Sequence, residues 1–336
     1  MTRANDNLSE IGQSKDDFQR WVHPPLRNCW FLTGPTSSGK TPLAIMIAQR
    51  MDAEIISLDS MAIYQGMDIG TAKPNLDQQA QAKHHLIDIV APTEMYSVSN
   101  YVIRAHRVAE QIRQAGKRVL VCGGTPLYLK SLVRGLFLGP EADWEFRNSV
   151  EEDVKRYGQE LLRERLLQVD PLLGHKLHLH DQRRMIRALE VAKITGLPLS
   201  HWQQQFETPA SRTEFPVAVL QLSRSWLHER INKRVESMID RGLAAEIEGL
   251  LQQYGSLGRT AAQAVGYREM LQHLQGKATS MAETTELIKA HTRQFARRQE
   301  IWFRGLKELV GIPVTPSCNL ESIADRICDL FNNPAD

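Results

Sequence analysis

The feature that most constrains this chain is a glycine-rich loop between a short apolar run and a helical pattern. The apolar run covers residues 29–32, and the loop reads Gly34-Pro35-Thr36-Ser37-Ser38-Gly39-Lys40-Thr41. Backbone amides of such a loop converge on a phosphate, the helix N-terminus adds partial positive charge, and the lysine adds a full one. The hydroxyl of Thr41 can ligate Mg²⁺. This order of strand, loop and helix predicts a P-loop fold that binds a phosphorylated substrate.

Short apolar runs recur along the chain, with helical patterns between most of them. Their bounds are 30–32, 55–58, 86–90, 119–122 and 217–222. Such alternation predicts an α/β fold, in which a parallel sheet is covered by helices on both faces. Two long helical patterns follow at 225–254 and 282–302, and then a strand-like run at 312–314.

One stretch interrupts the alternation, because strand signals stop between residues 142 and 206 and charge-rich, helix-forming sequence replaces them. We interpret 142–206 as an inserted, all-helical subdomain, and residues 26–141 with 207–336 as the P-loop core. We interpret residues 1–25 as a flexible tail, and we expect ordered structure to begin at Pro24-Pro25.

The composition is that of an ordinary globular protein of 336 residues with a net charge of +2. No stretch approaches the roughly 20 apolar residues of a membrane helix. The polar N-terminus lacks the apolar core of a signal peptide, so we expect a cytoplasmic protein without a membrane partner. The four cysteines are scattered, without zinc-like or disulfide-like spacing. Nothing in the sequence indicates a subunit interface, so we expect a monomer without an obligate protein partner.

An acidic residue follows the second apolar run, at Asp59-Ser60. In a parallel sheet that strand end lies at the same edge as the phosphate loop, so Asp59 should lie beside the phosphate. It could serve as an Mg²⁺ ligand or a general base, or simply as a turn or helix-capping residue. Position alone leaves these interpretations open.

The fourth apolar run ends in Gly123-Gly124-Thr125, where a hydrolytic P-loop protein would carry an acidic residue that holds Mg²⁺. Two glycines permit close backbone approach and Thr125 offers a hydroxyl, so this edge favours admission of a substrate. Asp88 lies inside the run 86–90 and could be a turn or interior carboxylate. Nucleotide hydrolysis is therefore disfavoured.

Arginines form rows outside the loop. Arg230, Arg234 and Arg241 border an apolar stripe at helical spacing, where a solvent-facing row is favoured over one that reaches the phosphate pocket. In the insert, arginines of the stretch 183–187 lie one helical turn apart and beside each other. That stretch predicts a nucleic-acid surface.

Together these residues resemble one family, the tRNA dimethylallyltransferases, also called tRNA isopentenyltransferases, from about residue 31 to residue 305. The matching motifs, in chain order, are the loop 34–41; Asp59-Ser60; Met67-Asp68-Ile69-Gly70-Thr71-Ala72-Lys73-Pro74; His84-His85-Leu86-Ile87-Asp88; Gly123-Gly124-Thr125; Arg184-Met185-Ile186-Arg187-Ala188-Leu189-Glu190; Val265-Gly266-Tyr267-Arg268; Thr292-Arg293-Gln294; and Arg297-Arg298-Gln299 with Trp302. Pro42 departs from the family pattern, but proline is tolerated in a first helical turn.

The resemblance implies transfer of a dimethylallyl group from dimethylallyl diphosphate to the exocyclic amine of the adenosine 3′ adjacent to a tRNA anticodon. It makes Asp59, Arg234 and Thr125 catalytic, with Asp59 as the general base, and it implies Mg²⁺ at Thr41 as the cofactor. The loop 34–41 then holds the leaving diphosphate. The target adenine must leave its stack in the anticodon stem-loop to react.

The resemblance also implies that 26–141 with 207–336 is the catalytic core, that the insert 142–206 is a tRNA-binding subdomain, and that a set of residues contacts tRNA. They are Asp59, Ser60, Met61, Ala62, Thr125, Arg147, Arg183, Arg184, Met185, Ile186, Arg187, Gln263, Ala264, Val265, Gly266, Tyr267 and Arg268. Three alternatives stay open. A small-molecule P-loop kinase would need no arginine-rich insert, and adenylate dimethylallyltransferases, which act on the free nucleotide, look shorter through the insert. The third is an RNA-binding protein with a vestigial catalytic centre.

Overall fold

A parallel sheet forms the centre of the larger of two compact units in this computed structural model, which describes residues 22–211, 214, 216–277 and 280–333. In spatial order its strands are β4 (His84–His85), β3 (Ala53–Leu58), β5 (Arg118–Gly123), β2 (Trp30–Thr33), β7 (Val217–Gln221) and β8 (Leu309–Pro313). Each of these neighbouring pairs is parallel. The carboxyl ends of the strands, and the loops that follow them, therefore share one edge.

Helices of this unit alternate with the strands, as a parallel sheet requires. They are α1 (Lys40–Arg50), α2 (Leu76–Gln81), α3 (Val98–Gln114), α4 (Pro126–Arg134), α10 (Arg224–Asp240), α11 (Leu243–Tyr254), α12 (Tyr267–Leu274), α13 (Met281–Arg304) and α14 (Leu320–Asn332). A core of α1, α14 and the strands includes the fully buried Leu43, Ile47 and Leu120. A second core joins α10–α13 to residues 63–67.

The smaller unit comprises residues 22–25 and Arg134–Thr208. Its helices are α5 (Trp144–Tyr157), α6 (Gln159–Val169), α7 (Pro171–Lys176), α8 (Gln182–Thr195) and α9 (Leu199–Gln203). Leu166, Met185 and Trp202 belong to its buried core. It also contains a short antiparallel ladder, in which β1 (Val22–His23) pairs with β6 (Leu136–Phe137).

The predicted α/β class with a mainly parallel sheet is confirmed. The sequence-based bounds of the insert were 142–206, and the compact helical unit starts earlier, at Arg134, and includes the β1–β6 ladder. Most of the predicted tail, residues 1–21, lies outside the described residues, and Val22–His23 already pairs before Pro24.

Two local predictions were wrong. Residues 86–90 are not a strand, because Leu86 and Asp88 adopt positive φ angles of 61° and 55° that turn the backbone directly after β4. Leu86 and Val90 are nevertheless buried, which explains the apolar signal. The pattern 225–254 is two helices, because Gly242 adopts a left-handed φ of 89° after α10 and lets α11 start in a new direction. Among the described helices, none combines the length and apolarity needed to cross a membrane.

Candidate active site at the carboxyl edge of the sheet

The candidate phosphate loop connects β2 to α1. Gly39 caps α1 with a left-handed φ of 93°, and Ser37 has a φ of 63°. Pro42 lies in the first turn of α1, where its missing amide would have no intrahelical partner. At the neighbouring strand end, Thr33 Oγ1 donates to Gly123 O over 2.8 Å. The loop and the Gly-Gly-Thr turn are thus joined at their base.

Lys40 folds back over the loop. Its Nζ donates to Pro35 O at 2.8 Å and Gly34 O at 3.0 Å, and lies 3.5 Å from Ser38 Oγ. Burial lowers the pKa of Lys40 to about 8, and the nearby negative charge of Asp59 partly offsets that effect. The ammonium is thus bonded to neutral carbonyl oxygens, and the oxygens of a negatively charged ligand could replace them.

Ser37 lies at the centre of the loop with its hydroxyl buried. Among the described residues, Ser37 Oγ has no hydrogen-bond partner. Arg230 holds the backbone there, because its Nε donates to Ser37 O over 2.7 Å while the guanidinium stacks on Trp226. A buried polar atom without a partner in a loop of this shape fits a phosphate oxygen.

Asp59 and Thr125 organise the adjacent strand ends. Asp59 Oδ1 accepts hydrogen bonds from Met61 N at 2.7 Å and Ala62 N at 3.2 Å. Thr125 Oγ1 accepts one from Ser60 N at 3.1 Å. The structure therefore brings the turn 59–62 and Thr125 together at the ends of the adjacent strands β3 and β5, with the Asp59 carboxylate fixed by the backbone.

The prediction that Arg230, Arg234 and Arg241 form a solvent-facing row is wrong for Arg234. Its Nη2 donates to Thr71 O over 3.1 Å. Burial lowers the pKa of Arg234, and the charge of Asp59 opposes that shift. Arg230 also faces the loop, whereas Arg241 is exposed, as expected for a solvated residue. Helical spacing cannot distinguish a border that meets solvent from one that meets another part of the chain.

Sequence reasoning missed the position of Gln299. This α13 side chain is only 3% exposed; its Oε1 accepts from Thr36 N at 2.8 Å, and its Nε2 donates to Gly124 O at 2.6 Å. It therefore bridges the phosphate loop and the Gly-Gly-Thr turn. A Cβ on Gly124 would lie 2.7 Å from Gln299 Nε2, so a larger residue at position 124 would displace this amide from the bridge. The sequence does carry one sign of this role: Gln299 is a polar amide within the buried stripe of α13, which also includes Ala296.

In the helical unit, Arg147 and Arg187 converge on one buried carboxylate. Arg147 Nε and Nη2 each donate to Glu190 over 2.7 Å, and Arg187 pairs with the same residue and donates to Pro140 O over 3.0 Å. Burial favours a higher pKa for Glu190, but the hydrogen bonds from both arginines hold the pKa below its usual value.

The remaining residues of that predicted stretch divide by face. Arg183 and Arg184 are exposed, whereas Met185 and Ile186 are buried in the helical core. This division follows from α8, whose apolar side packs inward while Arg183 and Arg184 lie on its exposed side.

The predicted stretch 263–268 also divides. Gln263 is exposed and Val265 half-buried, whereas Ala264 and Tyr267 are buried. Gly266 N donates to the buried Glu269 over 2.7 Å, and Arg268 pairs with that same carboxylate. The segment is therefore held from within, with Arg268 partly accessible at its surface.

No group of three His, Cys, Asp or Glu side chains within the described ranges could hold a metal ion. Thr41, in the first turn of α1, offers one oxygen ligand. A divalent cation here would take its other ligands from the substrate's oxygens or from water, as Mg²⁺ commonly does beside phosphates.

A family profile described as IPP transferase matches residues 62–306, well over half of the chain. The chain belongs to the IPP transferase family. Among the relatives of this family member is a tRNA dimethylallyltransferase of Rhodopirellula baltica, 50% identical over 290 residues, which are 84% of this chain and 86% of the relative. Another, from Acetivibrio thermocellus, is 41% identical over 85% of this chain and 91% of its own length.

Solved structures that resemble this chain come from the same kind of enzyme. The full-length tRNA isopentenylpyrophosphate transferase of Bacillus halodurans matches with a TM-score of 0.65 and 33% identity, over 91% of this chain and 97% of its own. A eukaryotic dimethylallyltransferase described as acting on tRNA matches with a TM-score of 0.74 and 25% identity, over 90% of this chain and 78% of its own.

Proposed function

We propose that this chain transfers the dimethylallyl group from dimethylallyl diphosphate to the exocyclic amine of the adenosine 3′ adjacent to the anticodon in tRNA, with release of diphosphate. Family membership supports the reaction class. One observation carries the assignment to this site: the turn that begins at Asp59 and the loop that contains Lys40 are both bonded to the Gly123-Gly124-Thr125 segment, at the same edge of the parallel sheet. The charge of Asp59 there partly offsets the burial that lowers the pKa of Lys40 and Arg234. A base and two cations thus share one edge of the sheet.

The chemistry divides among these three side chains. The adenine amine attacks the allylic carbon while the carbon–oxygen bond to the diphosphate breaks, and the bonding electron pair leaves with the diphosphate. Negative charge then develops on oxygens that Lys40 and Arg234 are placed to stabilise, and preorganised cations of this kind lower the barrier. Asp59 accepts the proton that the amine loses, with its carboxylate held by the amides of Met61 and Ala62.

The loop 34–41 is the proposed diphosphate site. Ser37 Oγ offers a buried donor without a partner among the described residues, and the N-terminus of α1, which begins at Lys40, places partial positive charge at the loop. The residues fit Mg²⁺ as a cofactor, held by the Thr41 hydroxyl and diphosphate oxygens. When bound, the ion would neutralise charge on the leaving group.

We propose tRNA contacts in each unit separately. In the helical unit, exposed Arg183 and Arg184 with partly exposed Arg187 present positive charge suited to the phosphates of an anticodon stem-loop, and Arg147 shares Glu190 with Arg187. The buried Met185 and Ile186 support that face from beneath.

In the larger unit, the proposed contacts are the turn 59–62, Thr125 and, within the segment 263–268, the accessible residues Gln263, Val265 and Arg268. Thr125 is the third proposed catalytic residue, beside Asp59 and Arg234, and its hydroxyl accepts a hydrogen bond from the backbone amide of Ser60. The adenine must unstack to reach Asp59, as enzymes that modify a base require. A cytoplasmic location and a monomeric state stay predictions.

Purified protein should be incubated with Mg²⁺, dimethylallyl diphosphate and unmodified tRNA, and in parallel with AMP and with ATP, before digestion and mass spectrometry of the nucleosides. We expect dimethylallyl-adenosine from tRNA alone. Modified AMP or ATP would instead indicate a free-nucleotide enzyme, and ATP consumption without prenyl transfer would indicate a kinase. Asp59→Asn, which keeps the shape but not the basicity of the carboxylate, is the matched control and should abolish most of the transfer.

A further inference from the structure

One carboxylate holds the loop formed by residues 67–73, which precedes α2. Glu246, on α11, accepts hydrogen bonds from three consecutive backbone amides of this 67–73 loop. They are Asp68 N at 3.0 Å, Ile69 N at 2.6 Å and Gly70 N at 3.3 Å. Converging amides form a nest that prefers an anion, and hydrogen bonds to a charged acceptor are roughly twice as strong as neutral ones.

Tyr267 completes this arrangement from the other side. Its hydroxyl donates to Glu246 Oε1 over 2.5 Å, and its ring is fully buried. Burial raises the pKa of Tyr267, and the neighbouring Glu246 raises it further, so the hydroxyl stays a donor. A Cβ on Gly70 would lie 2.3 Å from Tyr267 Cε2 and 3.0 Å from Leu243 Cδ1. The 67–73 loop therefore packs directly onto the tyrosine that holds Glu246.

The same loop leads to the active site. Arg234 Nη2 donates to Thr71 O over 3.1 Å, and Thr71 Oγ1 donates to Met67 O over 2.6 Å. Lys73 Nζ donates to Tyr64 O over 2.9 Å. The loop is thus bonded internally around Thr71 and held from outside by Glu246 and through Lys73, and the Thr71 carbonyl that accepts from Arg234 directly follows the three anchored amides.

We infer that Glu246 is a positioning residue for prenyl transfer, which holds the 67–73 loop so that Thr71 orients the Arg234 guanidinium toward the leaving diphosphate. The catalytic part of this inference rests on the proposed function, whereas the anchoring does not. Glutamine at position 246 would keep the size of the side chain. It would, however, replace one of the two carboxylate oxygens, which accept from the three amides and the Tyr267 hydroxyl, with an NH₂ group that can only donate. At least one backbone amide would then lose its partner.

Glu246→Gln tests the inference, with Glu248→Gln, an exposed acid on the same helix, as the matched control. In the free protein, amide hydrogen exchange of peptides covering 67–73 should accelerate at least tenfold in E246Q and stay unchanged in E248Q. The dissociation constant for inorganic diphosphate with Mg²⁺, measured by calorimetry, should rise about tenfold, which is the loss expected from misorienting one charged hydrogen bond.

A double-mutant cycle separates positioning from general destabilisation. If Glu246 acts through Arg234, E246Q should change KM for dimethylallyl diphosphate about tenfold in the parent chain and hardly at all in Arg234→Ala. Equal effects in both backgrounds, or unchanged exchange in 67–73, would overturn the inference. Should E246Q fail to fold, Tyr267→Phe removes one donor to Glu246 and should shift exchange in the same direction. Exchange and diphosphate binding report on the anchor even if tRNA proves not to be the acceptor.

Discussion

Raising the pH should discharge Lys40 and weaken capture of dimethylallyl diphosphate. Burial lowers the pKa of Lys40 from 10.5 to about 8, with smaller contributions from Cys122, which raises it, Arg234, which lowers it, and Asp59, which raises it. With that pKa, roughly 90% of the free protein carries charged Lys40 at pH 7 and roughly 10% at pH 9. We therefore expect kcat/KM for dimethylallyl diphosphate to approach a tenfold fall per pH unit above about pH 8.

The assay is the initial rate of transfer to saturating tRNA across about pH 6.5 to about 9.5, which gives kcat and kcat/KM separately. Bound diphosphate should raise the pKa of Lys40, so kcat should stay flat where kcat/KM falls. A phosphate's second ionisation lies near pH 6, so the substrate does not titrate in the upper range. Burial raises the pKa of Cys122 to about 12, which excludes its thiol as the titrating group.

Lys40→Arg is the matched control, because a guanidinium keeps its charge throughout this pH range. That variant should have a lower kcat/KM at neutral pH but no alkaline fall. A flat kcat/KM for the parent chain up to about pH 9.5, or the same fall in Lys40→Arg, would refute the argument.

Three further substitutions test the site. Asp59→Ala should lower kcat by roughly 10²- to 10⁴-fold while tRNA affinity stays nearly unchanged; near-normal turnover would remove the base assignment. Arg187→Ala should weaken tRNA binding and reduce the salt slope by about one phosphate contact in fluorescence titrations, and an unchanged slope would show that Arg187 touches no phosphate. Gly124→Ala should disrupt the Gln299 bridge and raise KM for dimethylallyl diphosphate about tenfold. Gly249→Ala, whose added methyl group meets nothing within 4 Å, should not, and equal KM values in the two alanine variants would contradict this account.

Local patterns were sufficient for much of the fold. The runs at 30–32, 55–58, 119–122 and 217–222 coincide with strands, apart from Leu222, which follows β7, because buried parallel strands consist of continuous apolar residues. The run 86–90 failed because an irregular segment can bury leucine and valine as well as a strand can. The helical pattern 225–254 concealed a break, since periodicity is blind to the backbone angle that Gly242 adopts.

The sequence by itself determined the family, the candidate phosphate loop and the acid that follows the second apolar run, because each depends on residues adjacent in the chain. Only the tertiary structure decided which polar side chains turn inward: Arg234 bonds to Thr71, and Gln299 bonds to Thr36, across long sequence separations. The same holds for Glu190, which gathers Arg147 and Arg187, and for Glu246, which gathers the amides of 68–70. A charged or amide side chain has the same local pattern whether its partner is water or a distant carbonyl, and packing alone selects between them.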